Sequence, residues 1–243
     1  MKTIIYLSIL LISQIGLSQT IITDRPDQTE SSSTVTKNSL QIETGIQTTQ
    51  TNLKRVNLLP TSLFRIGLTK NIEIRILGQI DNQKINSIET TGFKDLEIGT
   101  KIQLFKKEKS NLEIAFLSHL IIPSGSKNST ISKFGTINKL SISHPSNTKF
   151  SLGYNIGYDY FGLNKGNLTY SLALGYSITN KLGIYIEPYG ELENLIQYSA
   201  YFDSGLTYLI KNNLQVDISF GIGINRQMNY QSIGMSWFIQ KKS

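Results

Sequence analysis

The chain has 243 residues, with 24 Lys+Arg against 17 Asp+Glu, two His and no Cys. The missing Cys excludes a disulfide framework and any thiolate metal site, and His119 and His144 alone cannot build a histidine-rich metal cluster. The net charge of +7 holds no basic block longer than a pair such as Lys106-Lys107, so nucleic acid is not an expected partner.

At the N-terminus, Lys2 precedes an apolar stretch from Ile4 to Leu11, and small Ser18 follows. This pattern predicts a secretory leader over residues 1–18, with Gln19 as the mature N-terminus. Beyond it no apolar run reaches 18 residues, which excludes a helical membrane span in the mature chain. Residues 19–38 contain the polar segment Thr23-Asp24-Arg25-Pro26-Asp27-Gln28-Thr29-Glu30, too charged for contact with lipid.

From Leu40 the pattern has period two. In Leu214 to Ile224 the positions Leu214, Val216, Ile218, Phe220, Ile222 and Ile224 are apolar, while Gln215, Asp217, Ser219, Gly221 and Gly223 are not. Successive side chains of a strand point to opposite faces, so such a strand has one apolar and one polar or bare face. Asp95–Leu104 and Leu168–Ile178 repeat the pattern, and no segment keeps a helical period. About twelve strands are predicted, at 39–49, 57–68, 72–80, 93–105, 111–122, 135–144, 149–158, 167–178, 182–190, 200–210, 214–224 and 231–239. The strand at 135–144 is the weakest, with only Leu140 and Ile142 clearly apolar and outward. Pro60 and Pro188 fall in predicted strands, where Pro removes a ladder donor, and both are expected near the extracellular rim.

The predicted connections alternate between short turns and longer loops, the latter at 50–56, 81–92, 123–134, 159–166, 191–199 and 225–230. Transmembrane barrels connect their strands in this way. Aromatics sit near strand ends on the apolar face: Phe150, Tyr176, Tyr208 and Trp237 by the short turns, and Tyr158, Tyr170 and Phe202 by the long loops. These positions suit two interfacial girdles. The expected fold is all-β, a transmembrane antiparallel up-and-down β-barrel over residues 39–243. Its outward face meets membrane lipid and lipopolysaccharide. A soluble periplasmic β-protein is the competing fold-level reading.

The polar face then lines a lumen. It places Glu43, Arg65, Glu73, Arg75, Asp95, Glu97, Lys101, Glu113, His119, Glu187 and Asp203 inside. Buried charges need partners, so a network of salt bridges that keeps the interior hydrated and rigid is one reading. A polar constriction that selects a small-molecule solute is the other. Asp24, Arg25 and Asp27 either enter the barrel mouth as a plug or belong to a flexible periplasmic tail. As a plug, Arg25 has Glu43, Glu73, Asp95 or Glu97 as candidate partners, and the two aspartates have Arg65, Arg75 or Lys101.

No catalytic, metal or cofactor site is expected. Ser118 and His119 are adjacent in a strand and face opposite ways, so they cannot form a nucleophile and base. Ser124-Gly125-Ser126 lacks a following helix, and Gly221-x-Gly223 lies inside a strand.

Five pieces in order carry a resemblance to a known family. They are Thr23-Asp24-Arg25-Pro26-Asp27, Phe93-Lys94-Asp95-Leu96-Glu97-Ile98-Gly99-Thr100-Lys101, Ile122-Pro123-Ser124-Gly125, Gly205-Leu206-Thr207-Tyr208 and Asn213-Leu214-Gln215-Val216-Asp217. Across nearly the whole mature chain the sequence resembles the outer-membrane transporter family named for the "Putative MetA-pathway of phenol degradation". The resemblance implies an outer-membrane barrel with a role in the passage of small, hydrophobic or aromatic compounds. A structural or adhesive barrel with a closed lumen and partner-binding loops is the alternative.

Overall fold

The computed structural model describes residues 20–107, 110–144, 149–162 and 165–240. The leader expected over residues 1–18 and the turn at 145–148 lie outside the described residues.

Thirteen strands follow one another: β1 (Ser39–Thr51), β2 (Lys54–Gly67), β3 (Ile72–Ile85), β4 (Ile88–Phe93), β5 (Leu96–Lys106), β6 (Glu113–Ile122), β7 (Gly135–His144), β8 (Phe150–Tyr160), β9 (Asn167–Ser177), β10 (Leu182–Glu193), β11 (Gln197–Lys211), β12 (Leu214–Gly223) and β13 (Met228–Gln240). Each pairs antiparallel with its neighbours, β1 with both β2 and β13, and the β2–β3 pairing closes the sheet into a barrel. β4 and β5 form one stave: β4 pairs with Ile80–Ile85 of β3, and β5 with Ile72–Leu77. Thirteen strand segments thus make twelve staves.

The period-two pattern places the faces. In β12 Gln215, Asp217 and Ser219 are buried inside, while Phe220 and Ile222 point outward and are exposed. Leu206, Ile218 and Ile233 lie side by side on the outward face of β11, β12 and β13. Every stave has at least ten residues, enough for a tilted strand to cross a bilayer. Phe150 packs on Tyr176 at a ring distance of 4.9 Å, and exposed Tyr208 and Trp237 lie at the same rim. Ser39 pairs with Gln240, so both ends of the barrel sheet sit on the rim of the short turns.

The weakest predicted strand, 135–144, is present as β7 with those bounds: it pairs with β6 and β8 along its length, and Ser118 donates to Asn138 across its outward face at 2.8 Å. Two expectations change. Pro60 and Pro188 sit in strand interiors. The missing donor of Pro60 is absorbed by a register shift between Leu58 and Thr61, and Pro188 pairs with Phe202 on β11. The long loops at 50–56, 81–92 and 191–199 are mostly strand, and half of 225–230 belongs to β13. β1–β2 turn at Asn52-Leu53, and β3–β4 at Asn86-Ser87. Beyond the membrane both faces of a hairpin meet water, so the ladder continues where the apolar alternation stops. Among the described residues, the connection between β6 and β7 is the long loop that remains.

Candidate functional site

Residues 20–36 run inside the barrel. At the short-turn rim Ile21 N donates to Asn212 O at 2.7 Å, and Ile21, Val35 and Phe238 are buried together. The segment then crosses the lumen and returns, and lumen side chains take up its backbone. Glu43 accepts from the amides of Asp24 and Arg25 at 3.0 and 3.1 Å, Glu73 from Val35 N at 2.7 Å, Glu187 from Gln28 N at 2.7 Å and Asn155 from Glu30 N at 2.6 Å. Irregular backbone inside a barrel has no ladder of its own, so each buried amide needs such an acceptor.

The charge centre lies against β1, β2, β3 and β5. Asp24 meets Arg65 at 3.1 Å, Arg75 at 2.6 Å and Lys101 at 2.8 Å. Glu30 meets Arg75 at 2.9 Å and Lys101 at 3.3 Å. Glu43 and Glu73 each meet Arg65 at 2.9 Å, and Glu73 also meets Arg75 at 2.9 Å. Three cations therefore face four carboxylates, two of them carried by the N-terminal segment. Without that segment, Arg65, Arg75 and Lys101 would face only Glu43 and Glu73, a net positive charge buried in the wall. Burial alone would raise the Asp24 carboxyl, but Arg65, Lys101 and Arg75 together hold it well below the usual carboxylate range.

Arg25 departs from expectation. Its partner is Asp217 on β12, at 2.9 Å, and Ser232 on β13 accepts a second bond at 3.0 Å. Glu43 takes the Arg25 amide but not its guanidinium, and Glu73, Asp95 and Glu97 are engaged elsewhere. Gly45 and Gly234 pair across β1 and β13 and face inward. A Cβ on Gly45 would stand 2.7 Å from the Arg25 guanidinium, and one on Gly234 would overlap it. The bare pair makes the slot that lets Arg25 reach Asp217.

Asp27 also departs from expectation. Instead of a cation it faces Glu187 and Asp203, and Tyr230 donates to Asp203 at 2.5 Å. Burial, then the Glu187 charge, push the Asp27 carboxyl well above the usual range. The two aspartates give opposite pH signs. Asp24 favours docking while charged, an effect lost as pH falls through its lowered pKa. Asp27 favours docking while protonated, an effect lost as pH rises through its raised pKa. Protection of residues 20–36 from proteinase K should therefore be bell-shaped in pH. Asp27→Asn should remove the alkaline fall and keep the acidic one. An unchanged alkaline limb would show that Asp27 does not control it.

The remaining predicted residues divide. Glu113 accepts from Ser32 and Ser33 at 3.3 Å and pairs with Lys106 at 3.1 Å. His119 is held between Arg75 Nε and Glu97, both at 3.0 Å, and His144 between Asn111 O and Tyr154. Asp95 sits at the break between β4 and β5 and pins the long loop, accepting from Gly125 N and Ile131 N at 2.8 Å. It takes no part in the charge centre. The inward polar face also hides apolar side chains that the sequence reading did not single out: Leu63, Leu77, Leu117 and Ile137 line a chamber of about 240 Å³ above the charge centre. Among the described residues, no group of three or more His, Asp or Glu is placed to hold a metal ion.

Comparison with known proteins agrees with this architecture. No curated protein matches the sequence. The COG4313 outer membrane channel from Pseudomonas putida F1 superposes with a TM-score of 0.71 at 10% identity, covering 85% of this chain and 97% of that one. The KdgM porin, solved in complex with disordered oligogalacturonate, superposes with a TM-score of 0.55 at 13% identity, covering 81% of this chain and 98% of that one. These likenesses establish the fold as that of outer-membrane barrels. The model of the family described as "Putative MetA-pathway of phenol degradation" matches residues 23–237, from within the luminal segment to the last strand, and the chain belongs to that family.

Proposed function

We propose that this protein is an outer-membrane channel for small solutes, hydrophobic or aromatic ones among them, with residues 19–38 as its plug. The observation that carries the reading is that the luminal segment fills only part of the barrel. Its charge centre lies on the β1–β5 side and further bonds tie it to β6, β8, β9, β10, β12 and β13, yet it leaves a chamber of about 460 Å³ towards the short-turn rim. Small residues line the far side of that chamber, including Ser143, Ser151, Gly153, Gly175, Ser177 and Gly183. Towards the long loops two further chambers, of about 240 and 190 Å³, lie on the other side of the segment. A barrel whose only task was rigidity would gain from larger side chains here, because voids forfeit packing contacts.

Residues 28–30 stand between the chambers. Thr29 lies 2.7 Å from the Ser171 hydroxyl and donates to Glu187 at 2.5 Å, beside the Gln28 and Glu30 bonds. This line of hydrogen bonds favours the second reading, a closed barrel that presents its hairpins to a partner. Exposed Lys54, Arg55, Lys84, Lys94, Lys127 and Lys133 on the long-loop side supply cations for lipopolysaccharide phosphates in either case.

Planar-bilayer conductance of the protein with and without residues 20–36 tests both readings. The channel reading expects a small conductance that rises on deletion while heat-modifiable migration on gels still reports a folded barrel. A sealed membrane from both inserted proteins would overturn it and leave the closed barrel.

A further inference from the structure

We infer that Lys139 and the apolar wall beside it bind a small organic acid, a carboxylate or phenolate carried on an apolar body. The site lies on the passage proposed above and gives it a ligand class.

Lys139 faces inward from β7, between Leu117 on β6 and Gly157 on β8. A Cβ at position 157 would stand 3.0 Å from Lys139 Cγ, so the bare glycine gives the lysine stem its bed. Lys139 borders both chambers on the long-loop side. Among the described residues, the other cations turned to the lumen are held: Arg25 by Asp217, Arg65 by Glu43 and Glu73, Arg75 and Lys101 by Asp24 and Glu30, and Lys106 by Glu113. Lys139 has no ion pair within 4 Å and no hydrogen bond among those residues. Asp159 on β8, the direct pair of Ile137 on β7, is the acid that senses its charge without closing on it.

Next to this cation the lumen turns apolar. Leu63 and Leu77 pair across β2 and β3 and, with Leu117 and Ile137, form the apolar part of the wall of the 240 Å³ chamber, room for a single-ring solute. Much of the rest of the wall is the charge centre, whose carboxylates Asp24, Glu30 and Glu43 are bonded to Arg65, Arg75 and Lys101, together with Glu97, which is held by His119. An apolar body gains by covering these side chains. A carboxylate brought this deep needs a partner, and Lys139 has a free donor to give it. Asp159 beside the ammonium weakens its pull on a simple inorganic anion, so selection falls to solutes that also use the wall.

Equilibrium dialysis of the detergent-solubilised full chain against benzoate, acetate and benzyl alcohol reads the site without requiring conduction. Benzoate should bind more tightly than either control. Lys139→Met should weaken benzoate by about tenfold or more, the loss of one charge-assisted bond, and leave benzyl alcohol unchanged. Leu77→Asn should weaken benzoate and leave acetate unchanged. Asp159→Asn should tighten benzoate, an outcome that a purely structural lysine would not give. If Lys139→Met loses its heat-modifiable barrel, Lys139→Arg, which keeps the charge, should fold and retain the preference for benzoate over benzyl alcohol. Equal binding of benzoate and benzyl alcohol by the unaltered protein, or indifference of benzoate to a folded Lys139→Met, would overturn the assignment. A sealed bilayer with benzoate still bound would remove the channel and leave this site standing.

Discussion

Replacing Asp24 by Asn should detach residues 20–36 from the barrel wall. The Asp24 side chain is 4% exposed and is the one carboxylate that meets all three cations, so its loss takes a buried partner from each of them and leaves Lys101 with only the partly exposed Glu30. Removing one partner of a buried ion pair costs about 3–5 kcal/mol, because the remaining charge stays buried without compensation. Asp24→Asn should therefore increase conductance and expose the segment to proteinase K while the barrel persists. Glu30 is the internal control. It meets two of the same cations but is 18% exposed, and Glu30→Gln should cost less, nearer the ~1 kcal/mol of a solvated pair. Equal conductance and equal protease protection in the unaltered protein and Asp24→Asn would refute the anchoring role.

Two neighbouring positions on β12 separate the lipid face from the lumen. Ile218 stands midway along the outward face between Leu206 and Ile233, so Ile218→Arg should lower the stability of the barrel refolded into vesicles by about 2–4 kcal/mol, the cost of a charge near the midplane. Asp217→Asn acts by another route. It strands the Arg25 guanidinium, and its cost should largely vanish when Arg25→Met is present as well. A double-mutant cycle isolates that coupling. Ile218→Arg should be indifferent to Arg25→Met. Coupling of Ile218 to Arg25, or its absence between Asp217 and Arg25, would mean that the faces of this strand are misassigned.

The faces were legible because a strand has a period of two and the bilayer imposes apolarity on one side only. Leu214 to Ile224 could hardly be placed otherwise. The reach of the hairpins was not legible. Residues such as Lys54, Asn82, Gln83 and Lys84 pair in ladders above the membrane, where neither face must be apolar, so the signal ends before the strand does. Within the lumen, charge alone marked Glu43, Arg65, Glu73, Arg75 and Lys101 as inward. It could not choose partners, since Asp217 and Asp95 look alike in sequence. What separates them is depth and a slot: Gly45 and Gly234 bring Arg25 to Asp217, while Asp95 lies where the fourth stave breaks. Those two glycines were the available signal, since bare inward positions side by side on the first and last strands leave room for something to pass. Leu63, Leu77 and Ile137 gave no such signal, because an apolar residue on the polar face reads as noise until its neighbours across three staves are known.

The seat of Arg25 also sets an order on assembly. Its guanidinium lies over the junction of β1 and β13 and fastens to Asp217 and Ser232, partners 192 and 207 residues along the chain. No shorter stretch of polypeptide offers that seat, because the slot exists only once the first strand has met the last. Contacts so distant in sequence form late, after the intervening staves have shortened the effective loop. Arg25 therefore works as a clasp that can shut only on a finished ring. A chain stalled before β12 would still offer the cations of β2, β3 and β5 to Asp24, but the clasp would stay open.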